Sequence, residues 1–573
     1  MIPSPAAREP PSLLADVSIV TILAAVLYGV VRVARHWEAP LQPHVDIDLH
    51  VWALPGYTLL SLLRGFVAYG VSLCAAITYG YVAAHQPRAE RVMLPLLDIL
   101  QSIPVLGFLP GAILALVTLF PSSNTGLELA CILMIATAQV WNMAFSFYSS
   151  LRSIPVELQE ASALYQFSGW QRFRHVELPA AAVALAWNSM MSMAGGWFFL
   201  MICEAFTLGA HDFRLPGLGA YMSEALAHHN VPAMFAGIIA MILMIVVVDT
   251  CVWRPVIVWA QKFRLEDTAG PESQESLALN WIKRSWLIQV VIPGVTHPIR
   301  DWLVSGAKWT RERAPTPPAS ARPQPSWWRL LRIVSLGGAG GLVLWAAWRF
   351  VHVVSVLPLA VWIHLMIAAS LTFLRVAAAV VLGTLWTVPA GIWIGRSDRW
   401  CSRLQPLVQI AASFPAPMLY PPVLFALHQI GWGLGLSAVI LMMLGTQWYL
   451  LFNVIAGASA VPADLRQAAQ AYHFTPRQSW RVVWWPAVFP YLVTGWVTAA
   501  GGAWNASIVA EYISLGDHLV TTPGLGSLIS IAAGAGEYAL LAAGVLAMSL
   551  SVILVNRYCW RRLYRLAQTR YAY

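Results

Sequence analysis

Two charged side chains near the ends of apolar runs, Arg64 and Glu204, recur at equivalent places later in the chain as Arg375 and Glu511. A charge taken out of water is costly unless an opposite charge lies beside it. Arg–Glu pairing is therefore expected, within each half of the chain or between halves. Two roles are open for such pairs: a salt bridge fixing a helix bundle, or direct contact with a polar solute. Polar and aromatic residues interrupt neighbouring apolar runs at Ser102, Asn188 and Trp197, and again at Ser413, Phe414, Trp504 and Asn505. With Glu204 and Glu511 they form the candidate wall of a passage, although most Ser and Asn in such places only bond across helices. Pro104 and Pro415 are expected to kink their helices and shape a constriction. His211, His228 and His229 lack a carboxylate or Cys at ligand spacing, so neither a catalytic residue nor a metal site is expected.

These residues must be held by membrane-spanning helices. The chain is 58% hydrophobic and only 11% charged, with a mean hydropathy of +0.64, which excludes a soluble globule. Spans of roughly 20 apolar residues are read near 16–35, 57–84, 92–119, 126–150, 180–207 and 233–260. A second set lies near 328–352, 370–395, 404–427, 432–456, 487–515 and 536–558. The short apolar segment 357–369 is read as an interfacial elbow helix. The net charge of +9 does not point to nucleic acid, because the Arg residues sit in alternate loops: Arg88, Arg91, Arg152, Arg172, Arg174, then Arg396, Arg399, Arg403, Arg466, Arg477 and Arg481. By the positive-inside rule those loops and both termini are cytoplasmic. Arg32, Arg35 and Arg349 dissent and are read as snorkelling to head groups. Cys74, Cys131, Cys203, Cys251, Cys401 and Cys559 are scattered singly and read as small core hydrophobes.

The chain repeats itself. Pro95, Ser102, Pro104 and Pro110 line up with Pro406, Ser413, Pro415 and Pro421 at an offset of 311 (406 less 95), which also pairs Arg64 with Arg375. Beyond the loop 121–126 the offset becomes 307 (448 less 141), pairing Trp141 with Trp448, Trp197 with Trp504, Glu204 with Glu511, and Pro216–Gly219 with Pro523–Gly526. Matching loops carry the same charge bias, so both copies insert in the same direction, and each needs an even number of spans. The expected fold is an all-α membrane protein of two tandem parallel six-helix repeats, about 12 transmembrane helices, with the pathway between the halves. The expected domains are residues 1–260, a cytoplasmic linker at 261–326 and residues 327–573. The linker is basic and ends Pro-rich; Leu277–Val291 and Asp301–Lys308 suit the inner membrane surface, and a plain tether is the alternative.

Between long apolar runs in each copy lies a polar segment, Glu157–Phe167 and then Asp464–Phe474. Each reads as a water-exposed helix with small residues on one face, suited to lying in a partner's groove and moving the spans at both of its ends. An ordinary interfacial loop helix is the alternative. Glu160-Ala161-Ser162 followed by Val176, Leu178 and Pro179 resembles the cytoplasmic "EAA" loop of ABC-transporter permeases; Gln467-Ala468-Ala469 followed by Val483 and Pro486 repeats the frame. Gly196-Trp197, Glu204 and Pro216–Gly219, with their second-copy equivalents, look like the nitrate/sulfonate/taurine type of type I importer, here with two permeases fused.

The resemblance implies import of a small solute, such as a nitrate-, sulfonate- or taurine-like anion, across a bacterial inner membrane. It implies an ATP-binding subunit dimer and a periplasmic solute-binding protein as partners, with ATP and Mg on the ATPase. The coupling residues it implies are Glu157, Glu160, Ala161, Ser162 and Gly169, and Asp464, Gln467, Ala468, Ala469 and Pro476. The family's Gly is replaced by Gln166 and His473, which suggests a straighter helix there, with Pro476 ending the second one. No Gly-x4-Gly-Lys-Ser/Thr occurs, the only lysines being Lys262, Lys283 and Lys308, so no cofactor is expected in this chain. A secondary transporter of parallel repeats would predict midplane acidic relays, whereas Asp98 and Asp249 lie near span ends. A membrane-embedded enzyme would need clustered His, Asp or Glu.

Overall fold

Small residues spaced every three or four positions let the first copy's helices meet closely. In α1 (Leu54–His85) the buried stripe is Ala68, Ser72, Ala76, Gly80 and Ala83, and α4 (Thr125–Arg152) packs along it. At Gly80 an added Cβ would come within 3.1 Å of the Ala144 carbonyl oxygen, so a side chain there would push the helices apart. Between them come α2 (Pro87–Ser102) and α3 (Leu109–Leu119), joined through a 3₁₀ turn at Val105–Phe108. After α4 follow a short α5 (Val156–Leu164) and the long α6 (Leu178–Cys203), then a hairpin of β1 (Ala205–Leu208) and β2 (His211–Arg214). The copy closes with α7 (Leu218–Ala227), α8 (Val231–Val248), a π turn at Asp249–Trp253 and α9 (Arg254–Ala260).

The second copy repeats this order. It runs α10 (Leu359–Gly395), α11 (Asp398–Ser413), a 3₁₀ turn at Ala416–Leu419, α12 (Tyr420–Gln429), α13 (Leu434–Ser459), α14 (Ala463–Ala471) and α15 (Trp485–Ala510). The hairpin β3 (Tyr512–Leu515) and β4 (His518–Thr521) leads to α16 (Leu525–Ala535), α17 (Tyr538–Val555), a π turn at Asn556–Trp560 and α18 (Arg561–Arg570). Within each copy one helix is central: α4 packs on α1 and α6, and α13 on α10 and α15. The two hairpins are the regular structure that the all-α expectation lacked.

This computed structural model describes residues 45–263 and 347–570, with short breaks at 103, 209–210 and 516–517, and a few helical positions beyond them. The chain divides into two units: 1–28 with 275–358, and 29–274 with 359–573. The larger holds nearly all of both copies, and the described part of the smaller is mostly helical. Most of the expected spans at 16–35 and 328–352 and of the linker at 261–326 lies outside the described residues.

Among the described residues seven helices are long and apolar enough to cross a membrane, or eight if one bent pair counts as a span. The difference from 12 has physical causes besides the undescribed first spans. The expected continuous spans at 92–119 and 404–427 are each broken into two helices, the second pair meeting at 80°. Proline has no N–H for the helix ladder and disfavours helical backbone in the residue before it; Phe414, before Pro415, is accordingly extended at ψ 127°, and Pro104 and Pro415 themselves continue extended, at ψ 112° and 110°. These prolines break their helices instead of kinking them. Helix α6 is 26 residues long but is not among the seven, because Asn188, Ser189, Ser192 and its Gly and Trp residues dilute its hydropathy. The elbow expected at 357–369 is corrected too: Leu359–Gly395 is one helix of 37 residues, with no break at its junction with the span at 370–395.

Candidate translocation pathway and coupling surfaces

Each copy closes one end around a buried carboxylate. Arg64 pairs with Glu204, and Arg375 Nη1 lies 2.8 Å from Glu511 Oε1, so the pairing is within halves and not between them. The Pro-Gly-Leu-Gly motifs complete these sites. Gly219 and Gly526 donate backbone N–H groups to Glu204 and Glu511 at 2.7 and 2.9 Å. Ser61 and Thr372 hydroxyls donate to the same carboxylates at 2.6 and 2.9 Å while accepting from Leu218 N and Leu525 N. A Cβ on Gly217 or Gly524 would overlap the carboxylate, so close backbone approach requires glycine at both. The carboxylates tie α1 to α7 and α10 to α16 across the hairpin ends.

The halves meet reciprocally. The 3₁₀ turn of the first copy packs on α15 of the second, and that of the second packs on α6 of the first. Helices α2 and α17 touch, as do α11 and α8. Gln409 reaches across the seam, its Nε2 donating to Asp249 Oδ1 at 3.0 Å and also to Met190 Sδ, and Arg254 Nε donates to the other Asp249 oxygen at 3.1 Å.

Among the cavities lined by both halves, two lie on opposite sides of these turns, and a third, of about 350 Å³, lies between Ile238, Ile242 and Ile245 of α8 and the second copy's Leu407, Phe414 and Trp448. Of the two beside the turns, one, of about 310 Å³, is lined by Leu106, Phe206, Tyr420, Tyr512 and their neighbours on the hairpin side. The other, of about 240 Å³, is lined by Val105, Trp141, Phe198, Phe414, Tyr449, Trp504, Asn505 and Trp560 among others, on the side of α5 and α14. Val105 and Ala416 face the second chamber while Leu106 and Pro417 face the first, so the two turns form the partition.

Of the wall residues read from sequence, Phe414, Trp504 and Asn505 line the second chamber. Ser413 is half-buried beside Phe414. Asn188 Nδ2 bonds Ser146 Oγ at 3.0 Å, Trp197 is buried against Gly65, and Glu204 and Glu511 sit in the closed carboxylate sites, so none of these four lines the chamber. The Ser102 side chain lies outside the described residues. Sequence reading missed Trp141, Asn142, Ser192, Phe198, Tyr449 and Thr498, all lining residues. Trp141 carried a usable signal, its recurrence as Trp448.

Helices α5 and α14 are nine residues each and hang between spans. Glu157, Glu160, Gly169, Asp464, Gln467, Ala468 and Pro476 are exposed, Ala161 and Ala469 half-buried, and Ser162 buried. Exposed aromatic rings close both helices, Tyr165 at 71% and Tyr472 at 77% exposure. The expectation of a straight helix at Gln166 and His473 is corrected: both are left-handed, at φ 50° and 48°. Each turns the chain sharply without glycine, after its helix has ended. Pro476 does not end the second helix either. It opens the next turn, in the first-turn position where a missing N–H costs nothing, capped by Thr475. Capping boxes at Ser168 with Gln171 and Thr475 with Gln478 then restart the chain toward the long helices.

The family described as "Binding-protein-dependent transport system inner membrane component" matches this chain twice, over residues 76–252 and 387–559. The chain belongs to that family, the membrane-spanning permease components of ABC transport systems, with two copies in one polypeptide. It is 25% identical over 207 residues to the glycine betaine/proline betaine transport system permease protein of Escherichia coli K12, covering 36% of this chain and 54% of that relative. The nitrate import permease protein of Leptolyngbya laminosa is 26% identical over 190 residues, 33% of this chain and 64% of the relative. The trimethylamine N-oxide transport system permease protein of Ruegeria pomeroyi is 21% identical over 484 residues, 79% of this chain and 69% of the relative. The chain thus spans between about half and two thirds of these relatives' lengths.

Proposed function

We propose that this chain is a fused pair of permeases of an ATP-driven importer, moving a small solute inward through the seam between its halves. The observation that carries this reading is the twice-built lever: an exposed helix, a left-handed turn and a capping box, each strung between the central helix of a half and the helix that lines the seam. A force on α5 is delivered to α4 and α6, and a force on α14 to α13 and α15. Reciprocal packing of the 3₁₀ turns on α6 and α15 links those movements to the partition, so that two states of the levers become two accessibilities of the chambers.

In this reading a separate ATPase dimer carries ATP and Mg and grips Glu157, Glu160, Ala161, Ser162 and Gly169 on one side and Asp464, Gln467, Ala468, Ala469 and Pro476 on the other. The levers and both termini then face the cytoplasm of a bacterium, and a solute-binding protein delivers cargo to the hairpin side of the inner membrane. The Arg64–Glu204 and Arg375–Glu511 sites hold each half together as it moves. The secondary-transporter alternative needs no partner, and the exposed Tyr165 and Tyr472 speak against it. Reconstitution with an ATP-binding subunit that copurifies with it tests the proposal. Solute-stimulated ATP hydrolysis is expected, with ATPase copurification lost in Glu160→Arg; uptake driven by an ion gradient without nucleotide would overturn it.

A further inference from the structure

We infer that the arginine-rich run from the π turn at Asn556–Trp560 into α18 is a docking surface for the headgroups of anionic phospholipids.

Arg557, Arg561, Arg562, Arg565 and Arg570 follow one another there with no Asp or Glu between them. All five are exposed, and none pairs with a carboxylate among the described residues. The inner face of α18 is already occupied: Ala567 is buried against Phe489 and Val493 of α15, with Leu563 and Tyr564 beside it. The charge is left on the outer face. Like charges so close repel one another until anions gather on them.

The first copy shows that the fold does not require this charge. At the offset of 307, Thr250, Pro255, Val258 and Phe263 stand where the second copy has Arg557, Arg562, Arg565 and Arg570. The one arginine that the copies share is neutralised in the first, where Arg254 Nε donates to Asp249 Oδ2 at 3.1 Å. Asn556 takes the place of Asp249 in the second, so Arg561 meets no carboxylate there.

Length decides which anion can reach the cluster. The helical run Tyr538–Ala567 holds 30 residues and is preceded by the exposed Glu537 at the membrane surface opposite the levers. A hydrocarbon core of about 30 Å takes about 20 residues at about 1.5 Å each, so the run leaves the core near Arg557. Arg557, Arg561 and Arg562 then lie at headgroup depth, and Arg565 follows within about one Debye length, ~8 Å. Tyr558 and Leu566, 59% and 36% exposed among the arginines, suit a layer that is part apolar and part charged. An acidic face of an ATP-binding subunit is the competing occupant, and it would leave those two side chains in water.

Native mass spectrometry of the full chain, delipidated in detergent and titrated with dioleoylphosphatidylglycerol or dioleoylphosphatidylcholine, tests this. The anionic lipid is expected to bind at least about tenfold tighter, and Arg561→Gln, Arg562→Gln and Arg565→Gln together should remove most of that preference. Phosphatidylcholine affinity should not change. Arg88→Gln with Arg91→Gln, which removes two exposed arginines flanking Glu90, should leave the preference intact. Circular dichroism and unfolding temperature establish that each variant is folded. Equal affinities for the two lipids, an unaltered preference in the folded triple variant, or loss of ATP-binding-subunit copurification from that variant with phosphatidylglycerol binding intact would overturn the inference. No ATPase takes part in the lipid titration, so its outcome leaves the importer reading standing.

Discussion

The two halves share a backbone plan but solve the same positions with different chemistry. In the first, Arg64 faces two carboxylates: its Nε and Nη2 make a bidentate pair with Glu128 at 2.7 and 2.8 Å, and Nη1 reaches Glu204. In the second, the position of Glu128 is Gly435, and Arg375 turns a donor to Thr522 Oγ1 at 3.0 Å, while its bond to the Pro523 carbonyl at 2.8 Å has its counterpart in Arg64 and Pro216 at 3.4 Å. A similar exchange occurs near the levers. His85 and Arg172 both bond Glu177 at 2.9 Å; the equivalents of His85 and Glu177 are Arg396 and Trp484, where the guanidinium lies 5.6 Å from the ring centroid. What duplication preserved is the requirement that a partner be present at these junctions, while the kind of partner was free to change.

The largest test of this comparison removes the shared carboxylate. Glu511→Gln leaves Arg375 without a carboxylate partner among its described contacts and should cost about 3 kcal/mol. Glu204→Gln leaves Arg64 with Glu128 and should cost about 1 kcal/mol, with transport largely intact. Equal losses in apparent unfolding temperature would break the distinction. Gly435→Glu placed on Glu511→Gln sharpens it: an added Cβ would lie 3.8 Å from Arg375 Nη2, so the double variant should regain part of the lost stability, and a further loss would show that the second half cannot accept the first half's solution.

Next in size are the caps. Ser168→Ala and Thr475→Ala should each cost about 1 kcal/mol, the first more because Gly169 replaces the preorganised Pro476; chemical denaturation of both reads the difference. A double-mutant cycle on Arg396 and Trp484 should return a coupling of about 0.5–1 kcal/mol, and zero coupling would mean the ring and guanidinium merely coexist. Smallest is Gln166→Gly or His473→Gly, expected to stabilise by some tenths of a kcal/mol because only glycine adopts positive φ without strain. A loss in either would show that those side chains do more than occupy a turn.

The repeat, the exposed levers and the Arg–Glu pairs were legible in the sequence because each rests on a local or recurring requirement. An apolar run marks a span, a charge within it needs an opposite charge, and a duplicated spacing shows which residues correspond. The fate of Pro104 and Pro415 was half legible: proline marks a disruption, but whether a helix kinks or breaks depends on what receives the freed backbone, here α15 and α6 of the opposite half. Gln166 and His473 misled because residue type states only a preference for φ, and the closing of α5 and α14 over their last turns outweighs it.

Sequence alone determined, therefore, that this protein is a duplicated membrane bundle with a matched pair of protruding helices, since hydropathy and periodicity are properties of single segments. The tertiary structure decided which polar atoms are left unpaired. Asn188 and Asn505 look alike along the chain, yet one bonds across to Ser146 while the other, in the wall of a chamber, keeps its buried oxygen unpaired. That outcome depends on how helices meet, within one half at Asn188 and between the halves at Asn505, and no single helix carries the information.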